Sequence, residues 1–297
     1  MGRLFICFLA VVPSVDLQQF FTSSQIPPKD HYVSILRHWA EHRPDEPAFF
    51  FTDVESVEER LSYKELWEEV RALAGYLQGR CRIRTGDRVL LLYPPGLDFV
   101  IGFFACHAAG AIAVPAYPPR RNRKASRIRS IVVDANARWA LTTRSVVEQL
   151  TGDRWHDDLV GVQILGTDDP AVRDSDRWRM PKIDSESLGV LQYTSGSTGS
   201  PKGVMLTQSN LIANSKLILQ AFQPEKPVVG MTWLPTYHDM GFGWRHFDAT
   251  VHGPRQCVDE SDDVLATTGS MAARNFCVQR NDQRRTELCV PVVRRQN

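Results

Sequence analysis

The sequence predicts an α/β fold with mostly parallel sheets and helices on both faces. Apolar runs of strand length alternate along the chain with segments in which apolar residues recur at helical intervals. The run RVLLLY, Arg88 to Tyr93, is apolar on both faces, as a strand inside a parallel sheet should be. Connections between such strands are expected to be right-handed crossovers through helices.

The first half of the chain carries the clearest local signals. Ser62 and Glu65 have the spacing of a capping box, in which each side chain accepts from the other residue's backbone N–H. After them, apolar residues at helical spacing predict a buried helix face: Leu66, Val70, Leu73 and Leu77. The elements predicted up to residue 142 are, in order, a helix at Val33 to His42, a strand at Ala48 to Phe51, the capped helix, a strand at Arg88 to Tyr93, a helix through Phe103, a strand at Ala111 to Val114, a helix from near Ser126 and a strand at Ala140 to Thr142.

The second half continues the alternation after a long polar connection, Asp168 to Ser187. Thr207 is expected to cap a helix that reaches toward Phe222. Further strands are predicted at Val162 to Leu165, Leu188 to Tyr193 and Val228 to Leu234.

Composition and charge exclude several classes of protein. With 35 basic against 34 acidic residues, the net charge of +1 gives no reason to expect nucleic acid or an anionic membrane as a partner. The six cysteines include no CxxC or zinc spacing, so we expect reduced thiols, no metal site and a cytoplasmic protein. Leu4 to Val12 is either a short signal-like run or an irregular N-terminus, and Phe99 to Val114 is too short to span a bilayer.

A small-residue segment follows the strand predicted to end at Tyr193. The stretch LQYTSGSTGSPKG, Leu191 to Gly203, combines glycines, hydroxyl residues and one lysine. Glycines allow the backbone close to a ligand, hydroxyls donate to anionic oxygens, and a lysine adds a point charge. These are the requirements of a polyphosphate site.

The residues in and around this segment argue against two other interpretations. A flexible Ser/Gly linker would not explain the buried strand before it or the capped helix after it. A Walker loop, as in a kinase, needs glycine before the lysine and Ser or Thr after it. Here Pro201 precedes Lys202 and Gly203 follows it, so the spacing excludes that class.

Longer motifs resemble one enzyme family. YTSGSTGSPKGVMLTQSNL resembles the AMP-binding signature of the adenylate-forming superfamily, except that Gln208 stands where many members have His, a change from which little is expected. WLPTYHDMGF, Trp233 to Phe242, and the segment Gly110 to Ala137 resemble fatty-acyl-AMP ligases rather than ordinary CoA ligases. By family, the resemblance indicates a fatty-acyl-AMP ligase or a long-chain acyl-CoA synthetase. The resemblance runs from about Val33 to Gly241.

The resemblance implies a reaction and its residues. A fatty acid is activated with ATP and Mg²⁺ to an acyl-adenylate, and the acyl group passes to a phosphopantetheine thiol on an acyl-carrier protein or polyketide synthase, or to CoA. His238 is expected to be catalytic and, with Tyr237 and Gly241, to line the acyl and adenylate pocket. The β- and γ-phosphates are expected to contact Thr194, Ser195, Gly196, Ser197, Thr198, Gly199 and Lys202.

A basic run within the segment Gly110 to Ala137 stays open to two interpretations. It could bind a carrier protein or lipid phosphate, or it could be a solvated helix start, and no site is assigned to it. Its members are Arg120, Arg121, Arg123, Lys124, Arg127 and Arg129.

The resemblance ends after Gly241. Read one base later from Trp244, codons for the same residues can also encode a peptide beginning GVILMPLCTDRGSALMSP, which resembles the family. This predicts three regions: an unassigned extension at 1–30, a partial AMP-binding domain at 31–242, and a disordered or non-native tail at 243–297. The chain would then be a truncated, inactive N-terminal part of the adenylate-forming domain, without the acidic residue at magnesium. The alternative is a non-enzymatic pseudogene fragment with residual nucleotide binding.

The gene itself tests the hypothesis that a frameshift lies between Gly241 and Trp244. We expect its codons after Gly241 to permit the family-like peptide when read one base later, because a recent frameshift leaves the old frame intact. Codons that cannot encode that peptide would end the hypothesis.

Overall fold

The computed structural model describes residues 9–11, 31–52, 57–118, 126–152, 159–194, 201–222, 228–232 and 255–259. In these segments the helices are α1 (Tyr32–His42), α2 (Tyr63–Gly79), α3 (Leu97–Ala109), α4 (Ser126–Ala135), α5 (Arg144–Gly152) and α6 (Gln208–Phe222). The strands are β1 (Leu9–Val11), β2 (Pro47–Thr52), β3 (Val57–Ser62), β4 (Arg88–Leu91), β5 (Ile112–Pro115), β6 (Trp139–Thr142), β7 (Gln163–Gly166), β8 (Leu188–Thr194), β9 (Lys202–Thr207), β10 (Val228–Thr232) and β11 (Arg255–Asp259). A short 3-10 helix lies at Ser175–Arg177.

A six-stranded sheet organises most of the described core. Its order is β7-β6-β4-β5-β8-β9, and every neighbouring pair is parallel except β8 and β9, which are antiparallel. The carboxyl ends of the parallel strands therefore lie along one edge of the sheet. This arrangement confirms the predicted α/β class with a mostly parallel sheet.

Both faces of this sheet are covered by helices. Val89 and Leu91 of β4 belong to one buried cluster, together with residues of α1, α2 and α3. Leu90 and Leu92 belong to the opposite cluster, together with residues of α4 and α5. Because successive residues of a strand point to opposite faces, an apolar run on β4 needs a helix layer on each side.

The second sheet has five strands in the order β1-β10-β11-β2-β3. Strand β11 pairs in parallel with β10 and with β2, whereas β1 and β3 pair antiparallel with their neighbours. Strand β11 lies within the segment 243–297 that the sequence predicts to be a disordered or non-native tail, and that prediction for the segment stays a prediction. The sequence of β11, RQCVD, shows no clear strand pattern, and the strand is defined by the partners on either side of it.

The predicted cap and apolar stripe of α2 are confirmed. Ser62 Oγ accepts from the Glu65 N–H at 3.2 Å, and Glu65 Oε2 accepts from the Ser62 N–H at 2.8 Å. These hydrogen bonds with Ser62 also lower the pKa of Glu65. The four stripe residues are at most 1% exposed: Leu66, Val70, Leu73 and Leu77.

Helix α3 is apolar all round because it lies inside the core. All but one of its 13 residues are buried, so it shows no polar face. Among the helices of the described segments, none is long and apolar enough to cross a membrane.

Several elements carry no clear local signal and were not predicted. Strands β3 and β9 extend β2 and β8 as antiparallel neighbours, and their existence depends on pairing across a turn. Helix α5 and the 3-10 helix are short. Elements of this kind are set by tertiary contacts more than by propensity.

Candidate functional site

The β8–β9 hairpin carries the small-residue segment at its tip. Thr194 is the last residue of β8, Lys202 is the first residue of β9, and the two are paired across the ladder. The ends of the segment are therefore held side by side. Both ends of a connection closed in this way are held at fixed positions. The ends of a flexible linker would not be held together by strand pairing.

Strand β8 leaves the core at the start of this segment. Val190 pairs in parallel with Ala113 of β5 and is fully buried, and Tyr193 is buried as well. Thr194 is the first exposed residue of the strand. The segment therefore begins at the carboxyl end of a buried parallel strand, the position at which ligands bind in open α/β sheets.

Tyr193 holds β8 and β9 in place at the position just before the tip. It lies opposite Gly203, where a Cβ atom would come within 3.0 Å of the Tyr193 Cζ atom. Its hydroxyl donates to Asp134 Oδ2 of α4 at 2.5 Å. Burial, together with the hydrogen bond to Asp134, raises the pKa of Tyr193 well above its ordinary value. The phenol is therefore neutral and donates its proton to Asp134, which ties β8 to α4.

Lys202 provides the cation of the segment. Its side chain is exposed, and among the described residues it forms no ion pair. Its charge is therefore not neutralised by the described part of the fold. An exposed lysine beside a glycine-rich turn can interact with a bound anion.

The structure does not reach the other predicted site residues. Thr194 and Lys202 lie together, as predicted, at the ends of the segment. The remaining residues lie outside the described residues, and their roles stay predictions: Ser195, Gly196, Ser197, Thr198, Gly199, Tyr237, His238 and Gly241.

A buried polar contact at the base of the same hairpin was missed from the sequence. Gln208, the first residue of α6, is only 1% exposed. Its Oε1 accepts from the Tyr32 backbone N–H of α1 at 3.1 Å, and its Nε2 donates to His107 Nδ1 of α3 at 2.8 Å. Little was expected of Gln208 because the phosphate contacts are assigned to the segment before it.

His107 is held in its neutral form by this environment. Burial, with a contribution from His31, lowers the pKa of His107 to about 3. Because the Gln208 amide nitrogen can only donate, Nδ1 is the acceptor and the ring proton is on Nε2. Nε2 is buried without a hydrogen-bond partner among the described residues.

A shallow cleft of about 640 Å³ lies at the opposite edge of the six-stranded sheet. Its lining includes Thr85, which precedes β4, and Ala109, which precedes β5. It therefore lies at the amino ends of the parallel strands. Arg84 and Lys182 also line it, but it is separate from the β8–β9 tip.

Residues 36–274 match the family described as AMP-binding enzyme. The matched range begins within α1 and includes the whole β8–β9 hairpin. It also continues past Gly241, where the resemblance of the motifs ends, and includes β11.

The chain is similar in sequence to proteins named as fatty-acid ligases. It is 37% identical over 215 residues to the medium-chain-fatty-acid–[acyl-carrier-protein] ligase JamA of Moorena producens, covering 70% of this chain and 36% of JamA. It is 35% identical over 234 residues to the putative fatty-acid–CoA ligase fadD21 of Mycobacterium leprae, covering 72% of this chain and 40% of that protein. The chain thus spans less than half the length of these relatives.

The fold is similar to that of a solved structure. The crystal structure of a fatty acyl-adenylate ligase from L. pneumophila, in complex with acyl adenylate and pyrophosphate, matches with a TM-score of 0.76 and 29% sequence identity. The match covers 84% of this chain and 43% of that one.

The close contact between Gly203 and Tyr193 predicts the effect of adding one methyl group. Gly203→Ala should lower the free energy of unfolding by about 1–3 kcal/mol, because the new Cβ atom meets a Tyr193 ring that is buried and held by Asp134 and so cannot move aside. Urea unfolding measures this change. Val204→Ala, at the next and exposed position of β9, is the control and should stay within about 0.5 kcal/mol. Equal effects of the two substitutions would contradict the assigned packing.

The neutral state of His107 predicts a loss of stability in acid. Its folded pKa of about 3 is below the ordinary 6.5, so the unfolded chain binds a proton that the folded chain does not. Stability from this group is complete above pH 6.5 and falls as the pH drops toward 3. Between pH 7 and pH 5 the loss should be about 2 kcal/mol.

The matched variant is His107→Asn, whose amide oxygen can accept from Gln208 but does not titrate. Urea unfolding at pH 5, 6 and 7 should give a flatter pH dependence for this variant. The same slope for both proteins would contradict a buried neutral His107.

Proposed function

The chain belongs to the AMP-binding enzyme family, and we propose that its β8–β9 tip binds the β- and γ-phosphates of ATP during activation of a fatty acid. The observation that supports this most directly is the pairing of Thr194 with Lys202 at the exposed carboxyl end of buried β8. That pairing closes the glycine- and hydroxyl-rich segment over a short span beside an exposed cation.

The chemistry of the segment fits a polyphosphate. Backbone N–H groups of a glycine-rich turn can converge on one anion, and serine and threonine hydroxyls can donate to it. Lys202 would add a charge-assisted hydrogen bond to a phosphate oxygen. The proposed ligands are Thr194, Ser195, Gly196, Ser197, Thr198, Gly199 and Lys202.

The reaction would proceed in two steps. The fatty carboxylate attacks the α-phosphorus of ATP, and the bond to the departing pyrophosphate breaks. A thiol then attacks the acyl carbonyl carbon, and AMP leaves. The phosphate segment would act in the first step by holding the pyrophosphate group in line and stabilising its developing charge. Tyr237, His238 and Gly241 would line the acyl and adenylate pocket, with His238 in the catalytic role.

The described residues offer no magnesium site of their own. No group of three or more His, Cys, Asp or Glu side chains that could hold a metal ion occurs among them. The resemblance likewise assigns the acidic ligand to a later part of the family's chain. Magnesium would accompany ATP and offset phosphate charge, while the described residues hold the loop ends.

The thiol acceptor has two candidates. JamA is named as a ligase for an acyl-carrier protein, and fadD21 as a CoA ligase. Both acceptors present a phosphopantetheine thiol, so the same acyl-adenylate could serve either. We propose a fatty acid as substrate and leave a carrier protein, a polyketide synthase or CoA as the acceptor.

A second candidate is nucleotide binding without catalysis by the 297-residue chain alone. The chain spans 36–43% of the relatives and the solved structure described above. By resemblance, groups that bind adenine, ribose and magnesium belong to the remaining part. We propose that the chain alone binds ATP and shows no ATP–pyrophosphate exchange with a fatty acid, and robust exchange would overturn this second proposal.

Substitution of Lys202 tests the phosphate-binding proposal. Lys202→Ala should raise the Kd for ATP by about 10- to 100-fold, because a hydrogen bond to a charged group is lost. Isothermal titration calorimetry measures the affinity. Lys182→Ala is the matched control, since Lys182 is an exposed lysine at the opposite edge of the sheet, and it should leave the Kd unchanged. Equal effects of both substitutions would contradict the proposal.

A further inference from the structure

Gln208 joins three helices at the base of the hairpin. It begins α6 directly after Thr207, the last residue of β9. Its backbone N–H donates to the Ser187 carbonyl just before β8 at 3.0 Å. Its side chain reaches Tyr32 of α1 and His107 of α3, and both of these residues are at most 1% exposed.

The contact to Tyr32 satisfies a helix terminus. Tyr32 is the first residue of α1, and the N–H groups of a first helical turn have no partner within their own helix. Gln208 Oε1 supplies the acceptor from another helix. The side chain of the N-cap residue His31 serves a different group, the Ser34 N–H. Without Gln208, the Tyr32 N–H would lose a buried partner.

The other strand of the hairpin also lies against this bridge. A Cβ atom on Gly189 of β8 would come within 2.9 Å of Gln208 Nε2 and of His107 Cε1. The bare backbone of β8 therefore packs directly on the Gln208–His107 contact. Leu188 pairs with Thr207 at this level, so both strands are anchored at the base while Thr194 and Lys202 stand at the tip.

We propose that Gln208 is a positioning residue for the phosphate-binding tip: its buried amide fixes the base of the β8–β9 hairpin to α1 and α3. This inference rests on the function proposed above. Gln208 does not contact the nucleotide in this account. It acts by keeping Thr194 and Lys202 in the register that closes the tip.

The Gln208 amide serves both partners because it donates and accepts at once. Gln208→Met keeps a side chain of similar length but makes neither hydrogen bond, so it separates bonding from packing. Asn214→Met is the matched control, since it also removes an amide from α6 but at an exposed position. The probes are ATP affinity by calorimetry and amide exchange of residues 202–207 by mass spectrometry.

Gln208→Met should raise the Kd for ATP by about 2- to 30-fold, the range for residues that act through a network without touching the ligand. It should also speed amide exchange across residues 202–207, while Asn214→Met changes neither quantity. If Gln208→Met behaves like Asn214→Met in both measurements, the proposal is overturned.

A second variant gives a measurement that a change in packing alone would not affect. In Gln208→Glu the carboxylate still accepts from the Tyr32 N–H but cannot donate to His107 Nδ1. One added proton, on either group, restores that hydrogen bond. Among the described residues, His107 is also faced by His31, on the segment before α1, and by the Tyr32 ring, whose centroid lies 5.9 Å from that of the imidazole. The pH at which the pair takes up this proton is read from the imidazole chemical shifts of His107 in the ¹⁵N-labelled variant. The ratio of the variant's Kd for ATP to that of the unaltered chain should fall as the pH is lowered through that titration, and a ratio that stays constant across it would overturn the proposal.

The two proposals fail in different ways. If the unaltered chain binds no ATP, the phosphate-binding proposal fails. The exchange of residues 202–207 then still decides whether Gln208 fixes the hairpin. If the unaltered chain binds ATP and Gln208→Met changes neither exchange nor affinity, only the positioning role is lost.

Discussion

The burial of both faces of the six-stranded sheet is the constraint on which the rest of the described structure depends. Val89 and Leu91 face one helix layer, and Leu90 and Leu92 face the other. Leaving either pair in water would forfeit roughly 25 cal/mol for each Å² of apolar surface. The two helix layers make parallel crossovers possible, and parallel strands bring their carboxyl ends to a single edge.

At that edge the chain passes from the buried core to the exposed candidate site within one residue. Tyr193 is buried and bonded to Asp134, and Thr194 is exposed. The antiparallel return through β9 then brings Lys202 beside Thr194. The hairpin has an anchored base at Gln208 and a small-residue tip, so a fixed scaffold presents a segment whose composition suits phosphate.

Local sequence patterns predicted what depends on neighbours in sequence. The cap at Ser62 and the stripe through Leu66 lie within one helix, and the β4 run is apolar by itself, so the sequence was sufficient there. Strand β11 depends on β10 and β2, which are distant in sequence, and no local pattern marks it. The buried contacts of Gln208 could not be predicted for the same reason, because its partners His107 and Tyr32 are 101 and 176 positions away. The family followed from long motifs, while the roles of residues at the tip itself remain predictions.

The most direct test of the central claim maps where pyrophosphate binds. Amide chemical shifts of the ¹⁵N-labelled chain, recorded while pyrophosphate is added, report each backbone N–H separately. The account predicts saturable shifts concentrated in residues 194–203, with weaker changes at the base near Gln208. Shifts concentrated instead around Arg84 and Lys182, at the opposite edge of the sheet, would contradict it.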